Sequence, residues 1–185
     1  LMVEYTFAPQ YMDLGAFQPI NQWLDEETFT ELFGEPALKW CALDGDIYGT
    51  PQDSGALALF YRKDIFDEYD LKVPETWEEF GEQARKLRSQ NPDIDFITVP
   101  MDFWWIAPVW QAGTTLFDYQ DGTWYINFTN PAAQRVFDTW GEWIDEGTID
   151  LHMWWTADWY NAINEGRVAC VMLGAWFGEW LKYNA

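Results

Sequence analysis

Tryptophan side chains beside carboxylates are the residues of this sequence best suited to binding a ligand. Trp104 and Trp105 follow a predicted strand next to Asp102, Trp155 precedes a predicted helix, and Trp176 directly follows a predicted buried strand. An indole ring presents a flat apolar surface with little side-chain entropy to lose, which suits the C–H face of a pyranose. Carboxylates accept hydrogen bonds from hydroxyl groups. These clusters therefore predict a sugar site at the carboxyl ends of strands, where α/β folds bind ligands.

The same residues also allow other interpretations. Aromatic faces with acidic neighbours also bind a cation such as a polyamine. A pair of carboxylates would serve a glycoside hydrolase, but 31 acidic residues make any single pair uninformative. An adhesin-like surface protein without a small ligand is a further alternative. Some tryptophans are expected to be core residues, namely Trp77 and the i, i+3 pair Trp140 and Trp143.

The charge balance argues against several classes of partner. The 185 residues include 31 acidic and 10 basic side chains, for a net charge of -21. Such a surface lacks the basic footprint that nucleic acids and anionic membranes require. No apolar run approaches the ~20 residues of a transmembrane helix. Because the G-x-S-x-G, H-E-x-x-H, P-loop and G-x-G-x-x-G motifs are absent, we expect a protein that is not an enzyme.

The cysteine and histidine content predicts neither a metal site nor a cofactor. Cys41 and Cys170 are far apart in sequence without C-x-x-C spacing, and His152 is the only histidine. Cys170 lies in an apolar run and is expected to pack as a small hydrophobic residue. A disulfide between the two cysteines suits an oxidising compartment, but the sequence alone leaves its formation open.

Alternating strands and helices predict the α/β class. Predicted strands cover residues 1–7, 47–49, 56–61 (buried), 95–99 and 168–173, with a hairpin turn at Asp121-Gly122 between 116–117 and 124–126. Predicted helices cover residues 24–33, 64–69, 102–112, 129–147, 156–165 and 175–181, and another opens at Pro74. Asp25 is a predicted N-cap, and Thr76 with Glu79 forms a predicted capping box.

Three segments resemble one known family. They are DGDIYGTPQDSGALALFYRKD at residues 44–64, PETWEEF at 74–80 and AINEGRVACVMLGAW at 162–176. In this order and spacing, the chain resembles the family 1 extracellular solute-binding proteins of ABC importers, with Arg62 where the family usually has asparagine. The resemblance implies a periplasmic-binding-protein-like (type II) fold with two lobes. Residues 1–55 would supply the end of the first lobe and the approach to the hinge, and residues 56–185 an incomplete second lobe.

The resemblance also implies a function and a site. Members of the family close two lobes on a sugar or short oligosaccharide and present it to the membrane permease subunits of the importer. The implied ligand-binding residues are Asp53, Asp102, Trp104, Trp105 and Trp176, with Trp155 a weaker assignment. Both ends of the chain look cut, so the missing signal peptide leaves a lipid-anchored extracellular protein and a periplasmic one as the expected localisations.

Overall fold

The structure, a computed structural model, describes residues 2–52, 55–100 and 103–184. The chain divides into two units, Leu1–Gly55 and Ala56–Ala185, and each has its own buried core.

The first unit consists of three short helices and a two-stranded antiparallel ladder: α1 (Ala8–Asp13), α2 (Glu26–Phe33), α3 (Glu35–Cys41), β1 (Ala42–Leu43) and β2 (Asp46–Ile47). Asp25 caps α2, because its carboxylate accepts a hydrogen bond from the Thr28 N–H at 2.8 Å. Gly34 ends α2 with a φ of 84°. The predicted boundaries of this helix are therefore confirmed to within two residues.

The strand predicted for residues 1–7 is wrong. The carbonyl of Glu4 accepts hydrogen bonds from the N–H groups of Phe7 and Ala8, at 2.9 and 3.1 Å, and so closes a turn. Helix α1 begins directly afterwards with Pro9 in its first turn. Proline is well suited to that position, because its missing N–H has no partner within a helix there.

The second unit follows the alternating pattern that the sequence predicts. Its elements are β3 (Leu57–Tyr61), α4 (Lys63–Glu68), α5 (Trp77–Gln90), β4 (Asp95–Val99), a 3₁₀ turn (Phe103–Trp105), α6 (Ile106–Gln111), β5 (Phe117–Gln120), β6 (Thr123–Ile126), α7 (Pro131–Asp145), β7 (Ile149–Leu151), α8 (Ala157–Asn164), β8 (Val168–Gly174) and α9 (Phe177–Asn184). The helix expected over residues 102–112 is divided between the 3₁₀ turn and α6. Strand β7 was not predicted.

The four-stranded sheet of this unit has the order β3-β8-β4-β7. Strands β8, β4 and β7 are parallel to one another, whereas β3 runs antiparallel to β8. The carboxyl ends of the three parallel strands, at Val99, Leu151 and Gly174, therefore lie along one edge of the sheet, which we call the carboxyl edge.

The burial predicted for β3 is wrong, although the strand itself is confirmed. Leu57 and Tyr61 are exposed, because β3 pairs with β8 alone among the described strands and forms an edge of the sheet. An apolar run is compatible with a central strand or with an edge, and only the pairing distinguishes the two.

Capping interactions fix the start of α5. The Thr76 hydroxyl accepts a hydrogen bond from the Glu79 N–H at 3.1 Å, as the sequence predicts. The Glu79 carboxylate reaches back to the N–H of Glu75 at 2.8 Å, one residue before the cap. The first interaction satisfies a backbone donor that the first turn of a helix leaves without a partner, and the second holds the residue before the cap in place.

Tryptophans join α5 and α7 in the core. Trp140 and Trp143 are both buried, which confirms the prediction for this i, i+3 pair. Trp143 lies directly on Gly81 of α5, where an added Cβ would fall 2.7 Å from the indole nitrogen. The glycine is thus needed for the close approach of the two helices.

Substitution of Gly81 by alanine is expected to lower the free energy of unfolding by about 1–3 kcal/mol, because the new methyl group overpacks the contact with Trp143. Gly141→Ala in α7 is the matched control. An added Cβ there meets nothing within 4 Å, so the helix is expected to gain up to about 1 kcal/mol. Urea denaturation measures both, and equal stabilities for the two variants would contradict the packing argument.

Candidate functional site

The structure brings Trp155 and Trp176 together beside the carboxyl edge. Their ring centroids lie 5.9 Å apart with an interplanar angle of 18°, so the indoles are stacked. Each residue is 45% exposed, so part of each ring is open to solvent. Two residues that are 21 positions apart in sequence therefore form one aromatic surface, which we call the Trp155–Trp176 pair.

Trp155 is held in an unfavourable backbone conformation. Its φ is +64°, in the left-handed region that a bulky side chain rarely adopts. Such a conformation costs roughly 1–3 kcal/mol and persists only where surrounding contacts impose it. Here the ring packs edge-to-face against Trp159, Phe177 and Trp180, at centroid distances of 5.4, 6.1 and 6.1 Å.

Buried hydrogen bonds anchor that surrounding structure to β4. The indole N–H of Trp159 donates to the Thr98 hydroxyl at 3.1 Å, and the indole N–H of Trp154 donates to the Thr98 carbonyl at 3.2 Å. The Thr156 hydroxyl caps α8 by accepting from the Trp159 N–H. The segment that carries Trp155 is therefore tied to the middle of the sheet on both sides.

Trp176 is the last residue of the short segment between β8 and α9. Its ring contacts Phe177 at 6.0 Å and 89°, and the Phe177 side chain is fully buried. Phe177 thus fixes the backbone beside an exposed ring.

The spacing of the pair decides how a ligand would use it. A sugar ring between two indoles would need about 7–8 Å of separation, since carbon atoms in contact lie about 3.5–4.0 Å apart. At 5.9 Å the rings leave no such space. A ligand would therefore stack on an outward face of the pair, with the second indole supporting the first.

The other two predicted tryptophans have different surroundings. Trp104 is only 4% exposed and packs against Trp140 and Trp154, at 5.3 and 6.5 Å. Its indole nitrogen has no hydrogen-bond partner among the described residues. Trp105 is half-buried, with its ring edge-to-face on Trp140 at 5.8 Å. The structure therefore places Trp104 in the core, and the ligand contacts predicted for both residues stay predictions.

A cavity of about 380 Å³ adjoins Trp104 within the second unit, a size at the lower end of small-molecule sites. Its walls combine the β3–β8 face of the sheet with α6 and the start of α5, and they include Leu57, Leu59, Trp77, Trp104, Gln111 and Met172. Gln111 accepts a hydrogen bond from the Trp77 indole at 2.9 Å. The lining is mainly apolar, with one amide as a polar group.

The two carboxylates predicted for the site, Asp53 and Asp102, lie outside the described residues. Their proposed contacts with hydroxyl groups stay predictions. Sequence reasoning did not identify the supporting role of Phe177 and Trp180, which both pack against Trp155. The available signal was the i, i+4 spacing of Trp176 and Trp180 across the start of α9, which places two indoles on the same side of a helical turn.

Cys41 in the first unit and Cys170 in the second are both buried free thiols. Burial raises the pKa of the Cys41 thiol and of the Cys170 thiol. The Cys170 thiol donates to the carbonyl of Phe96 at 2.9 Å, as expected for a small core residue. Within residues 2–52, 55–100 and 103–184, histidine, cysteine and carboxylate side chains form no group of three suited to a metal ion.

A carboxyl group with a strongly shifted pKa lies away from the carboxyl edge. Burial, together with the nearby Asp150 carboxylate, raises the pKa of Asp95 to about 6, while Arg88, His152 and Arg167 oppose the shift. Asp95 begins β4, so it lies at the end of the strand opposite the Trp155–Trp176 pair. Its protonation bears on stability and not on the aromatic surface.

The segments that resemble a known family belong to a match over almost the whole chain. Residues 1–184 match the family described as bacterial extracellular solute-binding protein. The chain belongs to this family. Among the described residues, every helix falls short of the length and apolar character that a membrane span requires.

Two curated relatives carry names that refer to sugars. The lactose-binding protein of Rhizobium radiobacter is 24% identical over 189 residues, covering 98% of this chain and 43% of that protein. The arabinooligosaccharide-binding protein of Halalkalibacterium halodurans is 31% identical over 104 residues, or 54% of this chain. The chain spans less than half the length of these relatives.

Solved structures confirm the fold. The ABC-transporter-associated binding protein of B. animalis subsp. lactis, in complex with beta-1,6-galactobiose, superposes with a TM-score of 0.81 at 24% identity, over 95% of this chain and 44% of that one. The galacto-N-biose-/lacto-N-biose I-binding protein of Bifidobacterium longum gives 0.79 at 19% identity, over 98% and 45%. The predicted α/β class and the type II periplasmic-binding-protein-like fold are thus confirmed.

Asp95→Asn is expected to remove a pH dependence of stability. The folded protein keeps a proton on this carboxyl up to about pH 6, whereas the unfolded chain releases it near pH 4. Stability therefore falls as the pH rises through this window. The substitution should add about 1–2 kcal/mol at pH 7, less than the ~3 kcal/mol of the full shift, because the carboxyl is partly exposed and solvent screens its interactions. Urea denaturation between pH 4 and pH 7 measures the effect, with exposed Asp93→Asn as the control. An unchanged pH profile in Asp95→Asn would contradict the assignment.

Proposed function

We propose that this protein is the solute-binding component of an ABC importer and captures a sugar or short oligosaccharide without altering it. The Trp155–Trp176 pair is the observation that supports this proposal most directly. Two stacked, partly exposed indoles at the carboxyl edge offer a flat apolar surface to the C–H face of a sugar. The names of the lactose-binding and arabinooligosaccharide-binding relatives support the same ligand class.

The proposed mechanism is closure of two lobes on the ligand. In this proposal residues 1–55 are the end of the first lobe with the approach to the hinge, and residues 56–185 belong to the second lobe. The second lobe would offer the Trp155–Trp176 pair, with Asp102, Trp104 and Trp105 nearby and Asp53 on the hinge side. A ligand shifts the equilibrium only through contacts made better in the closed form.

The proposed partners follow from the family. The closed, loaded form would be recognised by the membrane permease subunits of the importer. The protein would act on the extracellular face of the membrane, lipid-anchored, or in a periplasm. The net charge of -21 suits a neutral ligand and disfavours a strongly anionic one.

Isothermal titration calorimetry with a panel of monosaccharides and oligosaccharides tests the ligand class. The expected result is heat of binding for at least one sugar, with the sugar recovered intact. Heat with a polyamine and with none of the sugars would overturn the proposal in favour of a cation-binding protein. Cleavage of a bound sugar would instead indicate a glycoside hydrolase.

Trp176→Ala is expected to weaken sugar affinity by roughly 1–3 kcal/mol, the scale for losing one aromatic anchor. Trp124→Ala is the matched control, because Trp124 is 43% exposed on the β5–β6 hairpin and is expected to leave affinity unchanged. Calorimetry gives both affinities, and urea denaturation checks that both variants are folded. If Trp176→Ala binds as tightly as the unsubstituted protein, Trp176 is not part of the site.

A further inference from the structure

Gly174, the last residue of β8, occupies a position where its backbone does not require glycine. It pairs with Leu57 across the β3–β8 ladder. Its φ is not in the left-handed region, which seven other glycines among the described residues adopt. Any residue could adopt this extended conformation, so the reason for glycine must lie in its surroundings.

The surrounding atoms are those of Trp176. A Cβ added to Gly174 would lie 2.4 Å from the indole Nε1, 2.8 Å from Cδ1 and 3.3 Å from Cε2 of that ring. Non-bonded carbon atoms in contact lie about 3.5–4.0 Å apart, so a side chain at this position and the present ring position exclude each other. The three nearest atoms all belong to Trp176, and the backbone is not among them.

The obstruction acts on a ring that is able to move. The Trp176 side chain is half-exposed, so its indole can swing toward solvent while β8 and the buried Phe177 stay in place. The neighbouring ring is less free, because Trp155 is surrounded by Trp159, Phe177 and Trp180. A side chain at position 174 would therefore separate the two indoles by displacing Trp176.

We propose that Gly174 is a positioning residue for the ligand site: its missing side chain lets the Trp176 indole fold back over the end of β8 and stack on Trp155. The inference rests on the proposed function in so far as the stacked pair is a sugar-binding surface. Gly174 itself does not touch the ligand. It determines which face of Trp176 the ligand meets.

The first experiment measures the geometry of the pair without any ligand. Two stacked indoles give an exciton couplet in circular dichroism, and the part lost in Trp176→Phe belongs to the Trp155–Trp176 pair. Gly174→Ala is expected to lose the same part of the couplet as Trp176→Phe. Its urea denaturation midpoint is expected to show that the variant is still folded. Gly141→Ala, whose added Cβ meets nothing within 4 Å, is the matched control and should keep the couplet.

The second experiment measures whether Gly174 acts through Trp176. Gly174→Ala is expected to bind the sugar identified by calorimetry about tenfold more weakly. In a Trp176→Ala background the same substitution should cause no further loss, because residues that act through one contact are not additive. The double-mutant cycle thus separates a positioning role from general damage to the strand.

The outcomes distinguish this inference from the proposed function. An unchanged couplet in Gly174→Ala overturns the inference, whatever the sugar affinities are. An equal loss of affinity in the presence and absence of Trp176 also overturns it. Loss of the couplet in a protein that binds no sugar of the panel overturns the proposed function but supports the placement of Trp176 by Gly174.

Discussion

The parallel pairing of β4 with both β7 and β8 is the constraint on which the candidate site depends. Ile97 pairs with Ile149 on one side and with Cys170 on the other, and this register brings the ends of three strands to one edge. The segments that follow those strands carry Trp104, Trp155 and Trp176. Without this pairing the ends of β7 and β8 would not reach the same edge of the sheet, and Trp155 and Trp176 would not be brought together.

Aromatic packing converts that placement into a defined surface. Trp159 is fully buried and hydrogen-bonded to Thr98, so it gives Trp155 a fixed support. Buried indoles that satisfy their N–H groups rigidify a core, whereas exposed indoles keep a face for a ligand. The same residue type thus has two roles here. Burial separates them, since Trp143 and Trp159 are buried while Trp155 and Trp176 are half-exposed.

Local signals were sufficient for most elements of the fold. The Asp121-Gly122 turn, for example, has positive φ at both residues and closes the predicted hairpin. Capping residues likewise predicted α2 and α5. The wrong prediction for residues 1–7 had a local cause, the turn at Glu4, whereas the failures at β7 and β3 occurred where tertiary contacts outweigh local pattern. Strand β7 has three residues, too few to show a periodicity, and it exists because β4 supplies its hydrogen bonds. Strand β3 was predicted to be buried because an apolar run does not distinguish a central strand from an edge strand.

The sequence by itself determined the family, the α/β class and the two indoles of the Trp155–Trp176 pair as ligand candidates, because motif order, turn residues and residue chemistry are local properties. Only the tertiary structure decided that Trp104 is a core residue whereas Trp155 and Trp176 stack on each other. It also decided that the Trp176 indole fills the space where a side chain at position 174 would lie. Burial and ring contacts depend on which segments of the chain meet in space. Such contacts between distant segments cannot be inferred from the local sequence.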